Sequence, residues 1–156
     1  MMRLRLIWVG REGRRDPEAE LAQKYCERIA RMGKYEETVL KPFQGGNSDE
    51  TREREGKKIL ELLDPKDYVV LCDERGKQIT SPQLAQFLAE RERDGRRPVW
   101  LVGGAMGVSD AVRRRADNVL SLSKMTLPHA LARVMLLEQI YRGFTIKTGH
   151  PYHHEG

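Results

Sequence analysis

Leu120-Ser121-Leu122-Ser123-Lys124-Met125-Thr126-Leu127-Pro128-His129 is the stretch on which the fold turns. Residues 119–122 are mostly apolar and suit a short strand. The hydroxyl-rich elbow after them breaks the strand, and Pro128 suits the first turn of a helix. That helix would present Leu131, Val134, Met135, Ile140 and Phe144 along an apolar face. Residues 99–107 repeat the plan: an apolar run ends in Gly103-Gly104-Ala105-Met106-Gly107. Residues 68–72 form a third continuous apolar run. Such runs suit strands buried on both faces. Strands of this kind alternating with helices predict an α/β domain with a mostly parallel sheet flanked by helices. In such sheets ligands bind beyond the carboxyl ends of the strands. Residues 73–76, 103–107 and 123–127 are therefore the candidate site loops.

The rest of the chain fits this frame. Residues 1–10 read as a strand, with Leu4, Leu6 and Trp8 spaced by two. Asp16-Pro17 is a helix start, Leu21, Tyr25 and Ile29 fall four apart, and Gly33 is a stop. Residues 38–40 read as a second strand. Gly45-Gly46-Asn47 marks a loop, and Ser48 caps a helix to about residue 63. The first half of that helix is almost wholly charged, leaving Ile59, Leu60, Leu62 and Leu63 to pack. Ser81-Pro82 starts another helix, with Leu84, Phe87 and Leu88 inward and Gly95 as its stop. Ser109 or Asp110 caps a short helix through Ala116.

The 156 residues fit one domain, 1–156, with a real core. No run of about 18 apolar residues is present, so no membrane span is expected. Cys26 and Cys72 make neither a disulfide framework nor a zinc site, and a reduced, cytoplasmic protein follows. The chain carries 28 basic and 23 acidic residues, a net charge of +5. Arg91, Arg93, Arg96 and Arg97, then Arg113, Arg114 and Arg115, concentrate guanidinium forks suited to phosphate. Interleaved acids (Glu90, Glu92, Asp94) dilute the first cluster, so charge leaves both a nucleic-acid partner and a plain solvated surface open.

The glycine elbow lacks the G-x-G-x-x-G spacing of a dinucleotide site and the Lys-Ser/Thr of a phosphate loop. It is either a tight turn or a place where backbone approaches a ligand. The 121–126 elbow either wraps a small polar ligand or supplies Thr126 as helix cap. His129, in the first helical turn, is read as a neutral packed residue. Glu138 and Arg142, four apart, can pair on one helix face. His150-Pro151-Tyr152-His153-His154 is either a frayed end or a source of proton-transfer groups. No Cys or His cluster elsewhere supports a metal.

Together, 101–107, 120–129, Glu138-Gln139-Ile140-Tyr141-Arg142 and 149–153 resemble the ribosomal RNA large subunit methyltransferase H family, of the SPOUT class. The resemblance runs from end to end. It implies a C-terminal trefoil knot, which connectivity rules alone would never suggest. It implies methylation of N3 of a pseudouridine in a hairpin loop of 23S ribosomal RNA, with S-adenosylmethionine as donor and no metal. It also implies a homodimer with each site near the dimer interface. A chain this small, with no appended RNA-binding domain, is expected to recognise the shape of an assembled ribosome, because phosphate attraction to free RNA alone is weak. Carried onto this chain, the cofactor rests on Leu71 and Cys72, on Gly103 and Gly104, and on Leu122, Ser123, Lys124, Met125, Thr126 and Leu127. Arg142, Tyr152 and His153 are the implied catalytic residues, the last two supplied by the partner as base or orienting group. Cys72, Gly143 and His154 depart from the usual leucine-like residue, Ala and Arg or Lys. Two other readings remain: a non-catalytic RNA-binding module, and a methyltransferase of transfer RNA or another nucleic acid.

Overall fold

The computed structural model describes residues 2–11 and 16–154; Met1, part of the first expected strand, lies outside them. Five strands alternate with five helices: β1 (Arg3–Val9), α1 (Pro17–Ala30), β2 (Lys34–Leu40), α2 (Ser48–Glu61), β3 (Tyr68–Lys77), α3 (Ser81–Asp94), β4 (Pro98–Val102), α4 (Asp110–Arg115), β5 (Asn118–Leu120) and α5 (His129–Thr148). The sheet order is β2-β1-β4-β3-β5, and every pairing is parallel. The α/β reading of the sequence is the observed architecture.

Each face of the sheet carries its own core. Leu4, Leu6, Trp8, Val70, Trp100, Val102 and Leu120 pack against α1, α3 and α5. Ile7, Val9, Val69, Leu71, Val99 and Leu101 pack against Ile59 of α2 and Val112 of α4. Strands covered on both sides have no reason to alternate, which explains the unbroken apolar runs of β3 and β4. The crossovers after β3 and β4 leave on opposite faces. The ends of these neighbouring strands therefore splay apart and open a crevice, the switch point of an open α/β sheet.

Several boundaries differ from the sequence reading, each for a local reason. Gly33 does not stop α1, which ends with Arg31 in the right-handed helical region. A Cβ on Gly33 would lie 3.0 Å from the Met2 carbonyl oxygen and 3.3 Å from Phe144, so the glycine permits close packing instead. β2 is seven residues long and registers along all of β1. The caps of α2 and α3 are Asn47 and Thr80, each one residue earlier than expected, and Thr80 forms a reciprocal capping box with Gln83. Gly95 does end α3, in the left-handed conformation, and Ser109 is the cap of α4.

On α5, Leu131 is 40% exposed and the buried residues are Val134, Leu136, Leu137, Ile140, Gly143, Phe144 and Thr145. The buried band spreads because α5 packs against both α1 and α3. Gly143 makes the second contact possible: a Cβ there would stand 2.9 Å from Leu88 Cδ1 and 3.6 Å from the Ala85 nitrogen. The helix propensity given up at this position is returned as close packing.

Candidate functional site

A cleft of about 680 Å³ opens at the carboxyl ends of β3, β4 and β5. β3 builds its first wall through an irregularity. Cys72 and Lys77 both register on Leu120, so residues 73–76 bulge out of the ladder. Asp73 holds the bulge by accepting from the Arg75 backbone N–H at 2.9 Å and from Arg113 Nη2 at 2.6 Å. Burial alone would raise the Asp73 pKa, but bonds from Arg75 and Arg113 outweigh it and hold the carboxyl well below the usual range.

The glycine elbow makes the second wall. The Gly107 N–H donates to the Gly104 carbonyl at 3.0 Å, and Gly107 takes a φ of +78°, where a side chain is strained. The third wall is the elbow after β5. Ser121 donates to the Ser123 carbonyl at 2.8 Å, and Ser123 Oγ accepts from the Met125 N–H at 3.0 Å. Thr126 does not cap α5: its hydroxyl donates to Glu74 at 2.6 Å and ties the third wall to the first. Pro128 is the N-cap, with no side-chain hydrogen bond, and α5 begins at His129. The His129 ring lies 5.7 Å from that of Trp8, packed as expected, and also faces the cleft.

All three expected loops meet here. Leu71, Cys72, Gly103, Gly104, Leu122, Ser123, Met125, Thr126 and Leu127 line the cleft. Lys124 is exposed and is not in the lining. The lining offers glycine backbone beside Leu122, Leu127 and Met125, the last 76% exposed at the rim. A volume and mixture of this kind suit a nucleoside with an amino-acid arm.

Cys72 lines the cleft, yet burial pushes its thiol up to about 12. Burial and then the charge of Glu37 push Cys26 up to about 12 as well. Neither thiolate is populated near neutrality, so iodoacetamide at about pH 8 is expected to spare both in the folded protein and modify both in urea. Mass spectrometry reads the adducts, and labelling of folded Cys72 at a free-thiol rate would contradict this environment.

The tail is tied down rather than frayed, and the Glu138–Arg142 pair is its anchor rather than an isolated surface pair. Arg142 donates through Nε to Glu138 at 2.9 Å and its Nη2 pairs with the same oxygen at 2.6 Å. Arg142 Nη1 lies 3.0 Å from His153 Nδ1. A guanidinium only donates, so Nδ1 accepts. The Tyr152 hydroxyl donates to Glu138 at 3.2 Å, with Arg142 stacked 4.7 Å over its ring and Tyr141 edge-on at 4.8 Å. Burial, then a bond with Tyr25 and the charge of Glu138, raise the Tyr152 phenol to about 12, so it stays protonated at neutral pH.

None of these four residues lines the cleft. Ala132 is the last cleft residue of α5, and Arg142 follows ten residues later, about 15 Å along the helix axis. The structure therefore brings the expected cofactor residues other than Lys124 together and the expected catalytic residues together, but in two separate places within one chain.

Most of the arginines singled out by sequence are engaged internally. Arg91 stacks 4.1 Å over Tyr68 and pairs with Asp94. Arg96, Arg97 and Arg115 converge on Asp67 and Asp117. Arg93 and Arg114 are exposed. Among the described residues, no group of three or more His, Cys, Asp or Glu is placed to hold a metal, and no helix is long and apolar enough to cross a membrane.

The family profile described as "Predicted SPOUT methyltransferase" matches residues 2–153. Within that class the chain belongs to the ribosomal RNA large subunit methyltransferase H family. It is 42% identical over 154 residues to the protein of that name from Geotalea daltonii (strain DSM 22248 / JCM 15807 / FRC-32), covering 98% of this chain and 100% of the relative. It is 43% identical over 155 residues to that of Geobacter sp. (strain M21), covering 99% and 100%. For the protein of Gloeobacter violaceus (strain ATCC 29082 / PCC 7421) the identity is 41% over 153 residues, covering 98% and 99%. A crystal structure of tRNA (m1G37) methyltransferase from Aquifex aeolicus is similar in fold, with a TM-score of 0.50 and 17% identity over 90% of this chain and 69% of that one.

Proposed function

We propose that this protein methylates N3 of a pseudouridine in a hairpin loop of 23S ribosomal RNA, using S-adenosylmethionine, on the assembled ribosome. The observation that carries the reading is the convergence of 71–73, 103–107 and 122–127 on one cleft, in a chain alignable from end to end with its relatives. When bound, S-adenosylmethionine supplies an electrophilic methyl group on a sulfonium. Leu122, Met125 and Leu127 would hold the adenine, with the backbone at Gly103 and Gly104 beside it. The protein's main task is alignment, because methyl transfer is a direct displacement.

The accepting ring nitrogen must lose its proton, which leaves negative charge on the ring. Arg142 offsets that charge. Glu138 holds the guanidinium, and the protonated Tyr152 is an orienting group rather than a base. His153 engages Arg142 through Nδ1, so a base role requires that contact to open as RNA enters, whereas an orienting role does not. The distance between cleft and tail cluster within one chain supports a homodimer in which the partner's cluster completes each cleft. The resemblance supports the trefoil knot at the C-terminal end.

Calorimetry with S-adenosylmethionine and mass spectrometry of 23S RNA from cells lacking the gene test this reading. The expected results are saturable binding, loss of one N3-methyl group, and its return when purified protein and donor are added to assembled ribosomes. An unchanged modification pattern in those cells sinks the proposal. Equal activity on protein-free 23S RNA removes the ribosome from it.

A further inference from the structure

The first half of α2 is nearly all charge, yet Glu55 is 5% exposed and Gly56 is buried. Arg52, Glu55, Gly56 and Ile59 stand at i, i+3, i+4 and i+7, one face of the helix. That face lies against the segment running from the glycine elbow into α4. Arg52 Nη1 donates to the Met106 carbonyl at 3.2 Å, and Ser48 reaches Met106 Sδ at 3.6 Å. Glu55 Oε1 is 3.4 Å from where a Cβ on Gly104 would lie, while its Oε2 accepts from the Phe43 N–H at 2.9 Å. A Cβ on Gly56 would stand 2.4 Å from Ser109 Oγ, which caps α4 by accepting from the Val112 N–H at 3.3 Å. Ile59 shares the core with Val112.

The elbow has little of its own to hold it. Residues 103, 104 and 107 have no side chain, and Ala105 and Met106 are exposed. Glycine-rich backbone loses more conformational freedom on ordering than any other. Among the described residues, the side-chain hydrogen bonds to this elbow come from Ser48 and Arg52, both on α2. We propose that the Arg52–Glu55–Gly56 face of α2 positions the glycine elbow and so sets the affinity for the methyl donor, with Arg52 as a positioning residue that never touches the donor. The inference rests on the reading of the cleft as the S-adenosylmethionine site.

The test compares wild-type protein with Arg52→Ala, Arg52→Lys and Gly56→Ala, by calorimetric titration with S-adenosylmethionine, thermal unfolding, and KM against kcat on ribosomes. Arg52→Ala is expected to bind the donor about tenfold more weakly, with its thermal midpoint unchanged and kcat retained at saturating donor. Arg52→Lys, which keeps a donor, is expected to recover part of the loss. Gly56→Ala improves helix propensity, yet it is expected to weaken donor binding by at least as much, because the methyl group displaces α2 from the capped Ser109. Wild-type binding matched by equal affinity in Arg52→Ala overturns this inference alone. So does a loss of affinity that only tracks a fall in thermal midpoint. No binding by wild type overturns the cofactor reading and this inference with it.

Discussion

Replacing Arg142 with Ala is expected to lower the methylation rate by about a thousandfold, the scale of losing one preorganised charge partner in a transition state. Donor affinity should change little, because Arg142 is assigned to the accepting ring and is not among the residues of the donor's own cleft. Arg142→Lys should recover little. An ammonium cannot keep the two-nitrogen grip on Glu138 while reaching His153. Single-turnover methylation of ribosomes at saturating donor separates this loss from any binding defect. The same variant tests the divided site. If each cleft is completed by a partner's tail cluster, Arg142→Ala mixed with a cleft-disrupted variant such as Gly104→Val, whose side chain presses on Val9 and Glu55 behind the elbow, forms some dimers with one intact site. Activity should then reappear on mixing two inactive proteins. A mixture that stays inactive despite exchanging subunits would place cleft and cluster of one chain in the same site and remove the argument for a shared one.

What the sequence disclosed, and what it hid, follows from which forces leave a local trace. β3 and β4 were legible because burial on both faces demands unbroken apolar runs. The three site loops were legible because strand ends in a parallel sheet are where ligands bind, and glycine and hydroxyl residues mark them. The role of α2 was hidden: Glu55 and Gly56 read as solvent-facing helix, and only the elbow packed across them makes their burial sensible. Gly33 reads as a stop, and Gly143 only as a departure from the usual Ala. Their use is close approach to Met2 and Leu88, from distant parts of the chain. The tail was equally opaque, since a polar segment tied to Glu138 and Arg142 has the composition of a frayed end. Arg142, Tyr152 and His153 were identifiable only through resemblance. No spacing rule relates a helix residue to a tail that folds back onto it.

The arginines illustrate the same limit, and they carry the largest expected effect on stability. Asp67 is 3% exposed at the end of the sheet where β3, β4 and β5 begin. Its carboxylate accepts a two-point contact from Arg97, at 2.9 and 3.0 Å, and a bond from the Asp64 N–H at 2.8 Å. Arg96 and Arg115 each donate to its carbonyl at 3.0 Å. Asp67→Ala leaves the Asp64 N–H without its acceptor and leaves Arg97 with the exposed Glu36 as its remaining ion-pair partner among the described residues. The expected cost is about 3 kcal/mol, at the low end for breaking a buried pair because Arg97 is 19% exposed. A lower urea midpoint with an unchanged slope would register it. The pH dependence fixes the cause. Burial alone would raise the Asp67 pKa, but the bonds from Arg97 and Asp64 and the charges of Arg97 and Arg115 outweigh it and lower it. A carboxylate whose folded pKa is depressed contributes fully above the ordinary carboxylate range of about 4, and loses that contribution as pH falls through its folded value. The gap between wild type and Asp67→Ala should therefore be widest at neutral pH and narrow on acidification below about pH 4. Asp73, lowered in the same way by Arg75 and Arg113, keeps a residual acid slope in the variant. A gap that stays constant with pH would mean that Asp67 contributes by packing rather than by charge, and that its two-point contact with Arg97 adds little to stability.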